Sequence, residues 1–390
     1  MSIYFDNSAT TLTRSEALDK YIEVSRECFG NPSSLHAMGV NAEKELDAAR
    51  REVLTSLAEK NSSVVFSASG SEANNLAIFG RAFAKERYKR GSRIITTDSE
   101  HASVSEPLSK LCAMGFDVVK IPTRGGELDF EALASALTEN VILVTMMMVN
   151  NETGAIYDIA SVSKLMKERS PEAVLHIDAT QSYLKIPFTK KSIGADMITL
   201  SSHKIEGPKG VGALVIDNAI IKNRGIAPLI LGGGQELGLR SGTENVPGIA
   251  SFGCAVRLGF AELGSHFEKL NTLRSYFLEK LSTVPELSSL IPTVTKSPAP
   301  HIVSVTVPGI KSETLLHFLS SKGIYVSSGS ACSSNSHHLS SALIAYGKTN
   351  DEADSTVRIS FSYRNEISEI DALCKGLAEA VLRLARKGKR

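Results

Sequence analysis

A chain of 390 residues exceeds what a single hydrophobic core usually holds, so one large domain with a smaller companion is expected. The formal net charge of +1 gives no general electrostatic ground for binding nucleic acid or an anionic bilayer, and neither partner is expected. The five cysteines, Cys28, Cys112, Cys254, Cys332 and Cys374, are odd in number and never paired as Cys-x-x-Cys, which argues against a disulfide framework and a zinc site; no metal is expected.

The beginning, "MSIYFDNSATT", has no basic segment followed by an apolar one, and the longest apolar run, "VILVTMMMV" at 141–149, is far too short to span a bilayer, so a cytoplasmic protein is expected. From about residue 14 to 256, short β-rich runs alternate with helical patterns. The predicted strands are "SVVFSA" at 63–68, "RIITTD" at 93–98, "DVVKIP" at 117–122, "VILVTMMMV", "VLHIDA" at 174–179, "MITLSS" at 197–202 and "GALVID" at 212–217. Most are continuously apolar, as strands buried on both faces require. Between the first two lies "SEANNLAIFGRAFAKERYKR", where Ala73, Leu76, Ala77, Phe79 and Gly80 would form one inward helix face. The pattern predicts an α/β domain over 13–256 with a mostly parallel sheet of about seven strands.

After residue 256 come a long helical segment, "HIVSVTV", a helix near 312–322, a Ser/Gly-rich stretch, "STVRISF" and a final amphipathic helix. This texture predicts a smaller α+β domain, formed by 257–390 and joined by an N-terminal arm, 1–12. The Gly-rich stretches "GPKGVG" and "LGGGQELGLRSGTEN" are neither a Gly-x-Gly-x-x-Gly fingerprint nor a Walker sequence, so dinucleotide and P-loop readings fall away.

Ligands of open α/β sheets lie outside the carboxyl ends of the strands, and chemically able residues stand just there. Ser69, Gly70 and Ser71 open a helix after the first strand, a setting suited to an anion, although Ser at such a place is commonly only a cap. Glu100 and His101, then Asn150, Asn151 and Glu152, then Asp178 and Gln181, then Ser201, Ser202, His203 and Lys204 follow later strands. A lysine directly after an apolar strand is expected to be partly desolvated and so able to form imines. Lysine, carboxylate and phosphate seat together describe pyridoxal 5'-phosphate.

At these residues the chain resembles the cysteine desulfurases of the class V aminotransferase family. The resemblance runs through "YFDNSATT", "GNPSSLH", "SEANN", "VNNETG", "HIDATQS", "SSHKIEGPKG", "RSGTENV", "SSGSACSS" and "VRIS", nearly the whole chain. It implies the type I fold of pyridoxal phosphate enzymes, with the large and small domains above. It also implies release of sulfur from L-cysteine to give L-alanine and an enzyme persulfide. Lys204 would bind the cofactor covalently, Asp178 would pair with its ring nitrogen, Gln181 would bond its phenolic oxygen, and His101 would stack on the ring as acid and base. Gly70, Ser71, Ser201 and His203 would hold the phosphate, with Thr243 reaching in from the second subunit of a homodimer. Asn151 and Arg358 would grip the substrate carboxylate. In relatives the phosphate turn usually reads Gly-Ala-Thr, whereas here it is Ser69-Gly70-Ser71. The ending also lacks the longer tail with which some members engage a scaffold, so the acceptor is left open among an iron–sulfur scaffold, a tRNA-thiolating enzyme and a thiamine pathway. A selenocysteine lyase, or another class V aminotransferase or lyase without a thiol, is the alternative.

The resemblance makes Cys332, within "SSGSACSSNSHHLSS" at 327–341, the residue that carries sulfur. An ordinary thiol is only about 3% thiolate at pH 7, so it needs a proton acceptor, and His101 is the nearest candidate. About six extended residues on either side would span roughly 20 Å, enough to leave the pocket and deliver sulfur. The adjacent His337 and His338 read as solvated rather than as metal ligands.

Overall fold

The computed structural model describes residues 2–86, 91–328 and 339–384. Its centre is a seven-stranded sheet of β2 (Ser62–Ser67), β3 (Arg93–Thr97), β4 (Asp117–Ile121), β5 (Val141–Met147), β6 (Val174–Asp178), β7 (Met197–Ser201) and β8 (Gly212–Asp217). The order across the sheet is β2-β8-β7-β6-β5-β3-β4, and β8 alone runs antiparallel to its neighbours. All seven predicted strands are present. Every residue of β5, β6 and β7 is buried, the reason their sequences are apolar without alternation.

Successive residues of a strand point to opposite faces, and the apolar side chains divide accordingly. Val64, Phe66, Ala213 and Val215 join a core cluster on one face, which helices α1 (Ser15–Glu27) and α2 (Ala37–Ser56) complete. Val65, Leu214 and Ile216 join a second cluster with Ala73, Leu76 and Ala77 of α3 (Gly70–Phe83) and Val104, Leu108 and Leu111 of α4 (Ala102–Ala113). The inward face of α3 differs from expectation at one position. Ile78 is fully buried, whereas Phe79 is only half-buried and stacks on Phe83 with ring centres 5.6 Å apart.

A third cluster surrounds a four-stranded antiparallel sheet, β12-β13-β10-β9, comprising β9 (Ile291–Pro292), β10 (Ile302–Thr306), β12 (Ser327–Ser328) and β13 (Thr356–Ser360). Helices α5 (Leu263–Thr283) and α6 (Ile367–Leu384) supply Leu273, Phe277, Leu373 and Leu377 to it. The N-terminal arm reaches the same cluster through Phe5, and β1 (Ile3–Tyr4) pairs in parallel with β11 (Ile324–Tyr325). From there the arm runs over the carboxyl ends of the large sheet, where the Thr11 N–H donates to the carbonyl of His203. Among the described residues, no single helix is long and apolar enough to cross a membrane.

Candidate active site

A cavity of about 270 Å³ opens where the arm and β13 meet the carboxyl ends of β2, β3, β5, β6 and β7. Gly70, Ser71, His101, Asn151, Asp178, Gln181, Ser201, His203, Lys204 and Arg358 all line it. Thr243 does not line it and is exposed. Cys332, with His337 and His338, lies outside the described residues.

One end of the cavity is the start of α3. The Ser69 side chain caps this helix by accepting the Glu72 N–H at 3.1 Å, so the cap reading of Ser69 holds and the N–H groups of Gly70 and Ser71 stay available to a ligand. Gly70 is needed for space. A Cβ there would stand 3.1 Å from the Ser201 Cβ and 3.4 Å from the Thr180 hydroxyl oxygen. His203 sits in a short 3₁₀ turn, with Nδ1 3.2 Å from the Thr10 hydroxyl. Burial, then the charges of Lys204, Lys209 and Lys185, push it down to about 4, so it is neutral at pH 7.

Lys204 extends from the same turn and donates to the carbonyls of Ser8 at 2.6 Å and Ala9 at 2.7 Å. Both acceptors come from the arm. Gln181 donates to the Ser8 carbonyl as well, at 2.9 Å, while its own Oε1 is buried and unpartnered.

Asp178 ends β6 with both oxygens accepting, Oδ1 from the Thr180 N–H at 2.9 Å and Oδ2 from Asn74 Nδ2 at 2.8 Å. His101 precedes α4 and caps it, its Nδ1 accepting the Ser103 N–H at 3.1 Å. Burial holds His101 below the usual histidine range against the pull of Asp178. The ring is therefore neutral, with its proton on Nε2, and meets the cavity as an N–H donor. Beneath these groups Glu100 is fully buried, accepts from Thr97 and from the Met147 N–H, and is pushed up to about 8 by desolvation.

Arg358 rises from the middle of β13. The sequence places no acidic residue within two positions of it, but the fold supplies one from 352 residues away: Nη2 donates to Asp6 at 2.8 Å, and Nη1 donates to the Asn151 carbonyl at 2.9 Å. Glu152, beside Asn151, is half-buried, accepts the Ser340 hydroxyl and is raised to about 7 by desolvation.

Asp6, Ser8, Asn74 and Ser103 were not singled out from sequence. Their partners are distant in the chain, and only the quoted "DNSATT" and "SEANN" segments held a signal for the first three.

The model for the class V aminotransferases matches residues 3–373. A relative described as a NifS/IcsS protein homolog, from Lactobacillus delbrueckii subsp. bulgaricus, is 38% identical over 95% of this chain and 94% of its own length. A cysteine desulfurase IscS from Clostridium botulinum is 36% identical over 97% of this chain and 94% of its own. Among solved structures, a NifS-like protein superposes with a TM-score of 0.89 at 34% identity, covering 98% of this chain and 100% of that one.

Proposed function

Because the chain belongs to the class V aminotransferases, and within them to the cysteine desulfurases, we propose that this cavity binds pyridoxal 5'-phosphate and L-cysteine and that Cys332 receives the sulfur. The observation that carries this reading is the meeting, in one cavity, of an anion seat at the start of α3, the twice-donated carboxylate of Asp178, and Lys204. The residues fit the group. Gly70 leaves the clearance that a Cβ would fill, and the buried, unpartnered Oε1 of Gln181 and Oγ of Ser8 mark a place short of hydrogen-bond partners.

When bound, the cofactor supplies an electron sink for a carbon bearing an amino group. The chain's own residues do the rest. Gly70, Ser71, Ser201 and neutral His203 would hold the phosphate, Asp178 the ring nitrogen, Gln181 the phenolic oxygen, and His101 one face of the ring. Lys204 would hold the cofactor covalently until substrate displaces it. Its amine, which here donates to the Ser8 and Ala9 carbonyls, would then be free to take the proton from the substrate Cα. Asn151 and Arg358 would bind the substrate carboxylate.

The Cys332 thiolate would attack the substrate sulfur: a sulfur–sulfur bond forms, the carbon–sulfur bond breaks, and the electron pair stays with the carbon, which takes up a proton to become the methyl group of alanine. The persulfide passes its outer sulfur to an acceptor protein of iron–sulfur assembly or tRNA thiolation. Thr243, exposed on its own subunit, would complete the phosphate seat of a second copy in a homodimer. A cytoplasmic setting, which keeps thiols reduced, suits a cysteine that must stay free.

The test is Lys204→Ala. The variant should bind the cofactor without the absorbance of the covalent linkage and should lose alanine formation; near-normal turnover would overturn the assignment.

A further inference from the structure

Asp178 and His101 approach the cavity from different strands, and a buried chain of hydrogen bonds joins them. Asn74, on α3, is 1% exposed. Its Nδ2 donates to Asp178 Oδ2 at 2.8 Å and to the Ser103 hydroxyl at 2.9 Å. That hydroxyl in turn lies 2.9 Å from His101 Nδ1. The carboxamide cannot be turned over, since its oxygen would then face a carboxylate at 2.8 Å; its Oδ1 is instead left buried with no partner.

With both Asn74 protons committed, the rest of the chain is dictated. The Ser103 oxygen accepts from Asn74, so its own proton is free to go to His101 Nδ1, which the Ser103 backbone N–H already marks as an acceptor. We propose that Asn74 and Ser103 are positioning residues that couple Asp178 to His101: one carboxamide orients the carboxylate and, through the serine hydroxyl, fixes the imidazole as the Nε2–H tautomer. The coupling sets orientation and does not conduct protons, because a carboxamide cannot pass one on. An unpartnered buried oxygen is a cost that a purely structural asparagine would avoid, and here it is tolerated for two directed donors.

The proposal rests on the roles given above to Asp178 and His101, so its test reads the side chains directly. In the full-length chain labelled with ¹⁵N-histidine, with and without pyridoxal phosphate, His101 should carry its proton on Nε2. Ser103→Ala should shift the Nδ1 resonance and Ser103→Thr should restore it. Asn74→Leu touches no atom of His101, yet it should shift the same resonance, and the double variant should move it no further than Ser103→Ala alone. Asn74→Leu should also weaken pyridoxal phosphate binding roughly tenfold, the loss of one hydrogen bond to a charged group. Should leucine not be accommodated, Asn74→Ala must meet the same requirements. A proton on Nδ1 in the wild type, shifts that simply add, or no shift in the Asn74 variant would overturn the coupling. If the variants show these shifts but the wild-type chain binds no pyridoxal phosphate, the coupling stands and the result counts against the functional reading alone.

Discussion

The guanidinium of Arg358 is held from two sides, by the Asp6 carboxylate and the Asn151 carbonyl, and each terminal nitrogen keeps a second N–H for a ligand. Asp6 fixes the group in place and moderates its charge, so an incoming carboxylate meets a positioned fork. Arg358→Ala should raise the apparent KM for cysteine tenfold or more, since a hydrogen bond to a charged group is worth about 1.5–3 kcal/mol. Arg358→Lys should rescue little, because a single ammonium cannot serve Asp6, Asn151 and a bidentate ligand together. Steady-state kinetics with both variants checks this, and an unchanged KM would move the carboxylate site elsewhere. His101 belongs to the same scale: as a neutral N–H donor it can accept a proton from a thiol at Nε2 only after giving up the one it holds.

At the scale of elements, the start of α3 and the N-terminal arm shape the cavity. Gly70→Ala should fold, since that glycine is not in the left-handed region, but the new methyl would press Ser201 and lift the helix end by a few tenths of an ångström. Binding of pyridoxal phosphate should weaken several-fold, on the order of 1 kcal/mol, while binding of unphosphorylated pyridoxal should change little. Equal loss for both ligands would contradict a phosphate seat there. The sheet and its strand-end residues were legible because an apolar run ending in a polar cluster states both burial and its limit, as "VLHID" and "MITLSSHK" do. The arm's part was not legible. Lys204 meets Ser8 across 196 residues and Asn74 meets Asp178 across 104, and local periodicity carries no information on such pairings. The two-residue strands β1, β9, β11 and β12 are too short to show a period at all.

The whole molecule carries buried titratable groups whose effects on stability oppose one another. Glu100, raised to about 8, binds its proton more tightly when folded, so its contribution to stability falls as pH rises from about 4.5 through about 8. Lys185 is buried, its Nζ lacks a hydrogen-bond partner, and it is lowered to about 7 by desolvation and by the charges of Lys204 and Arg358. It binds its proton more weakly when folded, so its contribution to stability rises with pH from about 7 to about 10.5. Glu100→Gln should therefore gain on the wild type as pH rises from 5 to 8, and Lys185→Met should gain most below pH 7. Melting temperatures from pH 5 to about 10 check both signs. Four of the five cysteines lie among the described residues, and none lines the cavity. Burial pushes Cys28, Cys254 and Cys374 up, the last to about 11, and exposed Cys112 stands eleven residues along the chain from His101, roughly 16 Å at helical rise. The most direct measurement is thus the peptide mass map of the chain after brief exposure to L-cysteine without reductant. One added sulfur on the peptide containing Cys332, absent when Lys204 is alanine, is the predicted result; alanine formed with no sulfur on Cys332, or sulfur on another cysteine instead, would contradict the account.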